Sequence, residues 1–323
     1  MAATARRAIA PPAARTKLGL IVGPTGIGKT ALALEVAERI GAEIVNADSR
    51  QLYRGMDHGT AKPSMDEQAR VPHHLLDVCA IDRPIDVAEF AVLARRAIAD
   101  ISARGRRALV VGGSGMYLRV LRDGIFAGPA ASLELRESLN RVADECGDAA
   151  LHARLMEVDP EAAARISPHD RMRLVRALEV YELTGTALSA HQRAHRFAAS
   201  PYDSLTIGLT APRAALYAAI NRRFAAMLKA GLVEEVRSLI AAGYNPGAAP
   251  LNTIGYGEIC DYCCGRMSLE AAVEKAQQRS RNLAKRQMTW FRGDKTVEWF
   301  EVERGAGPII GRLEQFLTIR ELD

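Results

Sequence analysis

The chain has 323 residues, 48% hydrophobic and 25% charged. That is the balance of a globular protein rather than a disordered one, and no apolar run approaches the ~18 residues of a membrane span, which excludes an integral membrane protein. Basic residues outnumber acidic ones by 43 to 38, a net charge of +5 carried by 36 arginines and only 7 lysines, an excess compatible with a polyanionic partner but too mild to name one.

Residues 1–16 are rich in Ala, Arg and Pro and lack the apolar stretch of a secretory signal, so a disordered basic extension is expected there. Residues 18–23 form a short apolar run closed by Gly-Pro, the pattern of a buried strand, and a helix-like segment covers 29–40. Further strands are expected at 43–47, 74–78 and 107–111, with a helix over 86–104. This alternation predicts an α/β fold, a parallel sheet with helices on both faces. From 132 to 199 the chain is charged, Ala-rich and helix-periodic without a strand, which reads as a helical insertion. A strand returns at 204–209, helices follow over 213–231 and 268–292, and a last strand is expected at 297–302. The expected organisation is a core of 17–125 and 201–323 with an inserted helical domain at 126–200.

Five cysteines, Cys79, Cys146, Cys260, Cys263 and Cys264, are too few and odd in number for a disulfide framework and suit a reducing cytosol. Cys260-x-x-Cys263-Cys264 has the spacing of half a zinc site, but no second pair lies nearby, so buried thiols are expected. His73 and His74 are adjacent before a strand, where neighbours point to opposite faces, so a structural role is expected rather than chelation.

The segment Gly23-Pro24-Thr25-Gly26-Ile27-Gly28-Lys29-Thr30 fits G-x-x-x-x-G-K-[ST] between a strand and a helix, the context of a phosphate-binding loop. Its glycines let backbone N–H groups wrap a phosphate at a helix N-terminus. Lys29 brings a point charge, and the Thr30 hydroxyl is a candidate Mg²⁺ ligand. The strand at 107–111 runs into Gly112-Gly113-Ser114-Gly115 rather than into the acidic residue of a nucleotide-hydrolysing machine. The acid at a strand end is Asp48, expected at the same carboxyl edge as the loop. It reads as a Mg²⁺ ligand or a general base, or else as a helix N-cap.

Eight ordered blocks resemble the tRNA dimethylallyltransferase (tRNA isopentenyltransferase) family: GPTGIGKT at 23–30, NADSRQLYRGMDHGTAKP at 46–63, VPHHLLD at 71–77, VGGSGMYL at 111–118, HDRMRLVRALEVYELTG at 169–185, GLVEEV at 231–236, IGYGE at 254–258 and AKRQMTWFR at 284–292. The resemblance implies transfer of a five-carbon allylic group from dimethylallyl diphosphate to the exocyclic amino nitrogen of the adenosine 3′ of the anticodon, with Mg²⁺, by a monomeric cytoplasmic enzyme. It implies Asp48 as general base and a diphosphate held by residues 23–30 on one side and by Arg223 on the other, Arg222 being adjacent. On the tRNA side it implies Asp48, Ser49, Arg50 and Gln51 around the flipped base, Ser114 near the substrates, and Arg136, Met172, Arg173, Leu174, Val175, Arg176, Lys285, Arg286, Gln287, Trp290 and Arg292 against the RNA. Where many members carry a basic residue, this chain has Asn252 or Gly257. The chain stops at Asp323, without the zinc-finger tail of some eukaryotic members, so a bacterial-type enzyme is expected. An adenylate isopentenyltransferase or a small-molecule kinase would share the loop but have little use for the basic segments. Tyr53, Met56 and Met116 are candidates for a prenyl pocket, with core packing the simpler expectation.

Overall fold

The computed structural model describes residues 15–124, 128–195 and 200–318. Almost all of the extension expected over 1–16, and the end of the helical stretch at 196–199, lie outside the described residues. Six strands, Thr16–Val22 (β1), Ala42–Asn46 (β2), His73–His74 (β3), Arg107–Gly112 (β4), Tyr202–Thr210 (β5) and Val297–Glu301 (β6), form one sheet in the order β3-β2-β4-β1-β5-β6, parallel throughout. The helices, in chain order, are Lys29–Ile40 (α1), Met65–Arg70 (α2), Val87–Ala103 (α3), Gly115–Asp123 (α4), Leu133–Cys146 (α5), Asp148–Val158 (α6), Pro160–Arg165 (α7), Arg171–Thr184 (α8), Leu188–His195 (α9), Arg213–Lys229 (α10), Leu232–Ala241 (α11), Tyr256–Cys263 (α12), Leu269–Arg292 (α13) and Gly307–Thr318 (α14). None is long and apolar enough to cross a membrane.

A sheet covered on both faces buries its strands on both sides, which is why β1 reads as a continuous apolar run. Leu18, Leu20 and Val22 pack into the cluster built with α3, α4, α11 and α12. Ile21, between them, packs into the cluster with α1, α10 and α14. The expected helix at 86–104 forms because the Asp86 carboxylate accepts from the Ala88 and Glu89 amides while Phe90, Ala94, Ile98 and Ile101 line up at helical spacing on the buried side.

One expected strand needs correction. The strand expected at 74–78 ends after His74, because Leu75 and Asp77 adopt φ of 63° and 56°, left-handed conformations that no strand continues through. The turn at 112–115 passes straight into α4, and α2 was not foreseen, although Ser64 and Glu67 form a capping box that marks its start.

The chain divides into two compact units, 1–122 with 201–323, and 123–200. Among the described residues the second holds only helices, around its own core of Leu139, Leu151, Leu155, Leu174 and Leu178. Asp159 caps α7, whose first residue is Pro160, and Asp170 caps α8.

Candidate active site

The carboxyl edge of the central strands carries the site. After β1 the chain turns through Gly23, Gly26 and Gly28 at φ of 155°, 79° and 93°, which only glycine adopts without strain. At Gly26 a β-carbon would also lie 2.6 Å from Ile220 of α10. Gly28 offers α1 no capping side chain, so the first helix amides remain for an anion. The Lys29 ammonium lies back over the loop, donating to Gly23 O at 3.0 Å and Pro24 O at 2.9 Å. Burial pushes its pKa down to about 8, against the pull of Asp48 and with a further push from Arg223. Arg223, from α10, donates to Thr25 Oγ1 at 3.1 Å and to Thr60 O at 3.0 Å. Its Nε is buried without a partner, a donor in want of an acceptor. Burial holds the Arg223 pKa below its ordinary value, and Asp48 opposes the shift. Of the adjacent pair, Arg223 is turned onto the loop and Arg222 is exposed.

β2 delivers Asp48 to the same edge. Asn46 folds its side chain forward, its Oδ1 accepting from Asp48 N at 3.2 Å and its Nδ2 donating to Leu75 O at 3.1 Å. No helix begins at Asp48. Its Oδ1 accepts only the local Arg50 amide, at 2.9 Å, in an Asx turn. β4 closes against this segment: Ala47 N donates to Val111 O at 2.8 Å, and a β-carbon on Gly112 would sit 2.2 Å from Ala47 O, so only glycine fits. Ser114 Oγ then accepts from Ser49 N at 3.1 Å.

A third element supports Arg223 from below. The Glu235 carboxylate of α11 accepts from the amides of Asp57 and His58, both at 2.9 Å, and from the Tyr256 hydroxyl, which itself accepts from Gly59 N at 3.2 Å. Burial and the neighbouring Glu235 raise the Tyr256 pKa far above normal, so the hydroxyl keeps its proton. Lys62, whose side chain is 4% exposed, reaches Tyr53 O at 2.9 Å, Asp77 at 2.5 Å and Asp57. Together these fix the 57–62 segment, and with it the Thr60 carbonyl on which Arg223 rests. Gln51 is buried beside it, donating to Thr60 O at 3.2 Å and Ala61 O at 3.0 Å, so its side chain faces the segment rather than the surface. Sequence reasoning missed Glu235, Tyr256 and Lys62, although all three stand inside the quoted blocks.

A phosphate cradle, a carboxylate at the next strand end and a buried arginine closing the loop are the geometry against which known proteins can be compared. The IPP transferase family pattern matches residues 51–294. Over 287 residues the chain is 51% identical to the tRNA dimethylallyltransferase of Geobacter metallireducens, covering 89% of this chain and 93% of the relative, and 48% identical to that of Geobacter sulfurreducens, covering 89% and 92%. The chain belongs to the IPP transferase family. Its fold is similar to the full-length tRNA isopentenylpyrophosphate transferase of Bacillus halodurans, with a TM-score of 0.70 and 38% identity over 94% of this chain and 97% of that one. It is likewise similar to a eukaryotic dimethylallyltransferase acting on tRNA, with a TM-score of 0.76 and 25% identity over 88% and 74%.

The residues that the IPP transferase resemblance implied on the RNA side separate into two kinds. Arg50, Met172, Arg173, Lys285, Arg286, Trp290 and Arg292 are exposed. Leu174 and Val175 are not: they are 0% and 6% exposed inside the helical unit's core, because α8 turns one side inward, and their side chains cannot touch RNA. Arg136 and Arg176 are half-buried on the wholly buried Glu179. Arg136 grips it with two bonds, at 2.8 and 2.9 Å, Arg176 adds one at 2.6 Å, and Ser132 N another at 2.9 Å. Burial opposes the charge on Glu179, but these bonds hold its carboxyl below the usual range. Gln287 points inward to two loops of the core.

His73 bonds Val71 O and His74 bonds Glu43, each at 2.7 Å, as structural residues do. Cys260 is buried in α12, its thiol pushed up to about 11 by burial, and all five cysteines are unpaired. Tyr53 and Met56 are core residues, whereas Met116 is exposed. Asn252 is exposed, beside Gly257.

Proposed function

We propose that this member of the IPP transferase family moves the dimethylallyl group of dimethylallyl diphosphate onto the exocyclic amino nitrogen of the adenosine 3′ of the tRNA anticodon, with the diphosphate leaving from the phosphate loop. The observation that carries the reading is the convergence of anion cradle and base at one sheet edge: Lys29 lies over the loop, Arg223 bonds Thr25 within it, and Asp48 follows β2, its neighbour Ser49 tied to Ser114 in the turn after β4. As the carbon–oxygen bond of the donor breaks, negative charge grows on the departing diphosphate. The loop amides, Lys29 and the unpartnered Nε of Arg223 neutralise it. The adenine amine is a poor nucleophile because its lone pair is delocalised into the ring. Asp48 takes its proton as the nitrogen–carbon bond forms.

Mg²⁺ fits the residues present. The Thr30 hydroxyl, on the second residue of α1, makes no hydrogen bond among the described residues, and no group of three His, Cys, Asp or Glu side chains there builds a protein cage. Mg²⁺ is commonly held by one or two protein oxygens together with substrate phosphates. Thr30 would hold it, and it would supply charge neutralisation on the leaving group.

A base inside a stacked anticodon loop must be flipped out, at a cost of a few kcal/mol. Ser49 and Arg50 follow Asp48, where such a base arrives. The exposed Lys285, Arg286, Trp290 and Arg292 of α13, and Met172 and Arg173 of α8, suit backbone and unstacked bases. The enzyme acts as a monomer in the cytoplasm; its unpaired cysteines fit a reducing compartment.

The test is to incubate the chain with labelled dimethylallyl diphosphate and, separately, anticodon stem-loop RNA, AMP and an ATP control. Label in the RNA is expected. Label in AMP without label in RNA overturns the reading.

A further inference from the structure

Gln287 lies in the block of α13 that the family resemblance assigns to RNA, yet its side chain is committed elsewhere. Its Oε1 accepts from Thr25 N, in the phosphate loop, at 2.8 Å, and its Nε2 donates to Gly113 O, in the turn after β4, at 2.9 Å. Only one orientation of the amide satisfies both partners, since turning it over would set N–H against N–H and oxygen against oxygen. The fit is tight: a β-carbon on Gly113 would lie 2.6 Å from Nε2. Three residues on, and so on the same side of the helix, Trp290 seats its indole on Gly115, where a β-carbon would come within 2.3 Å.

The two loops that Gln287 joins serve opposite substrates. Thr25 also accepts Arg223, on the side of the diphosphate. The turn carries Ser114, whose hydroxyl accepts the amide of Ser49, the neighbour of Asp48. We infer that Gln287 is a positioning residue: one side chain that ties the donor's phosphate loop to the acceptor's turn and so sets the distance across which the allyl carbon meets the adenine nitrogen. Misplacing reacting groups by about 1 Å costs on the order of 10²-fold in rate, so the fall belongs in kcat. A residue that merely bound RNA would show its loss in the KM for tRNA.

This inference rests on the prenyl-transfer reading above. Its test compares Gln287→Met, which removes both bonds, and Gln287→Glu, which keeps the acceptor for Thr25 but turns an oxygen toward Gly113 O. All three residues are comparable helix formers, so α13 is preserved. Transfer to anticodon stem-loop RNA is measured with both substrates varied, beside a thermal melt. The expected result is a fall in kcat of about 10- to 100-fold in both variants, with the KM for RNA within about twofold of wild type and the melt nearly unchanged. Wild-type kcat in both variants, or a raised KM for RNA with kcat intact, overturns the inference. So does a kcat loss that scales with a fall in melting temperature. Failure of the wild-type chain to label RNA at all overturns instead the reading on which it rests.

Discussion

The cations around the phosphate loop of the α/β unit and the arginines of the helical unit, which has no lysine, stand in opposite settings. In the α/β unit, Lys29 and Arg223 are drawn out of water and set around a loop built of glycines, with Asp48 free but for one local amide. In the helical unit the cations are largely spent on carboxylates: Arg136 and Arg176 on Glu179, Arg171 on Asp144 and Asp148, Arg154 on Glu182. A desolvated cation without a full set of partners is costly and persists where a ligand completes it. A paired one holds helices together. Arginine therefore serves the chemistry at the phosphate loop and mostly architecture in the helical unit, as it also does at Arg279–Glu258 and Arg312–Glu298 of the α/β unit.

The largest effect that would sharpen this contrast is at Asp48. Asp48→Ala should lower the rate of prenyl transfer by about 10²- to 10⁴-fold, while the denaturant midpoint stays near wild type. Full transfer by the variant would remove Asp48 as the base. In the helical unit the opposite pattern is expected. Glu179→Ala leaves the Ser132 amide without its acceptor and two half-buried arginines without their shared carboxylate, and should cost about 1–3 kcal/mol of stability, read by urea unfolding. A neutral result would mean that the arginines are held by something other than Glu179.

A smaller effect follows from Lys29. Its proton is lost at about pH 8 in the chain alone, so below that pH the ammonium is charged and attracts the diphosphate, and above it the charge fades. The KM for dimethylallyl diphosphate should rise as pH climbs past about 8, by no more than about tenfold per unit for a single group, and Lys29→Arg should flatten the rise. A KM independent of pH in that range would mean that the ammonium is not what the diphosphate meets. The smallest effect is at Arg173, which is exposed and loosely paired with Asp170 at 3.4 Å. Arg173→Ala should reduce the salt dependence of RNA affinity by roughly 0.7–0.9 in logarithmic slope, without changing stability. An unchanged slope would class α8 as architecture throughout.

Much of the α/β core can be read from local pattern. Helix α1 runs over Lys29–Ile40 as its periodicity predicts, and strands β1, β2, β4, β5 and β6 stand within two residues of their apolar runs. The third strand was foreseen but not its shortness, because what ends it is backbone conformation at Leu75 and Asp77, held by contacts such as Lys62 on Asp77. Burial on α8 was equally hidden. Arg173 and Leu174 are neighbours in one block, and only the packing of α5 and α6 decides that one faces water and the other the core. Gln51 and Gln287 are the same lesson for polar groups: an amide that reads as a base-reading contact is, once folded, a tie between backbone segments.

What the sequence by itself determined is the parallel α/β core, the phosphate loop with Lys29 and Thr30, the acid at the end of the second strand and the family to which these blocks belong. Each depends on local spacing: glycine where φ must be positive, apolar residues where strands are buried, a carboxylate at a strand end. Tertiary structure alone decided that Arg223 rather than Arg222 turns onto the loop, that Glu235 and Tyr256 steady the carbonyl beneath it, and that Gln287 joins the two loops. Those facts depend on which groups meet across 163 to 262 residues of chain, and a hydrogen bond between such distant partners leaves no period in the sequence from which to read it.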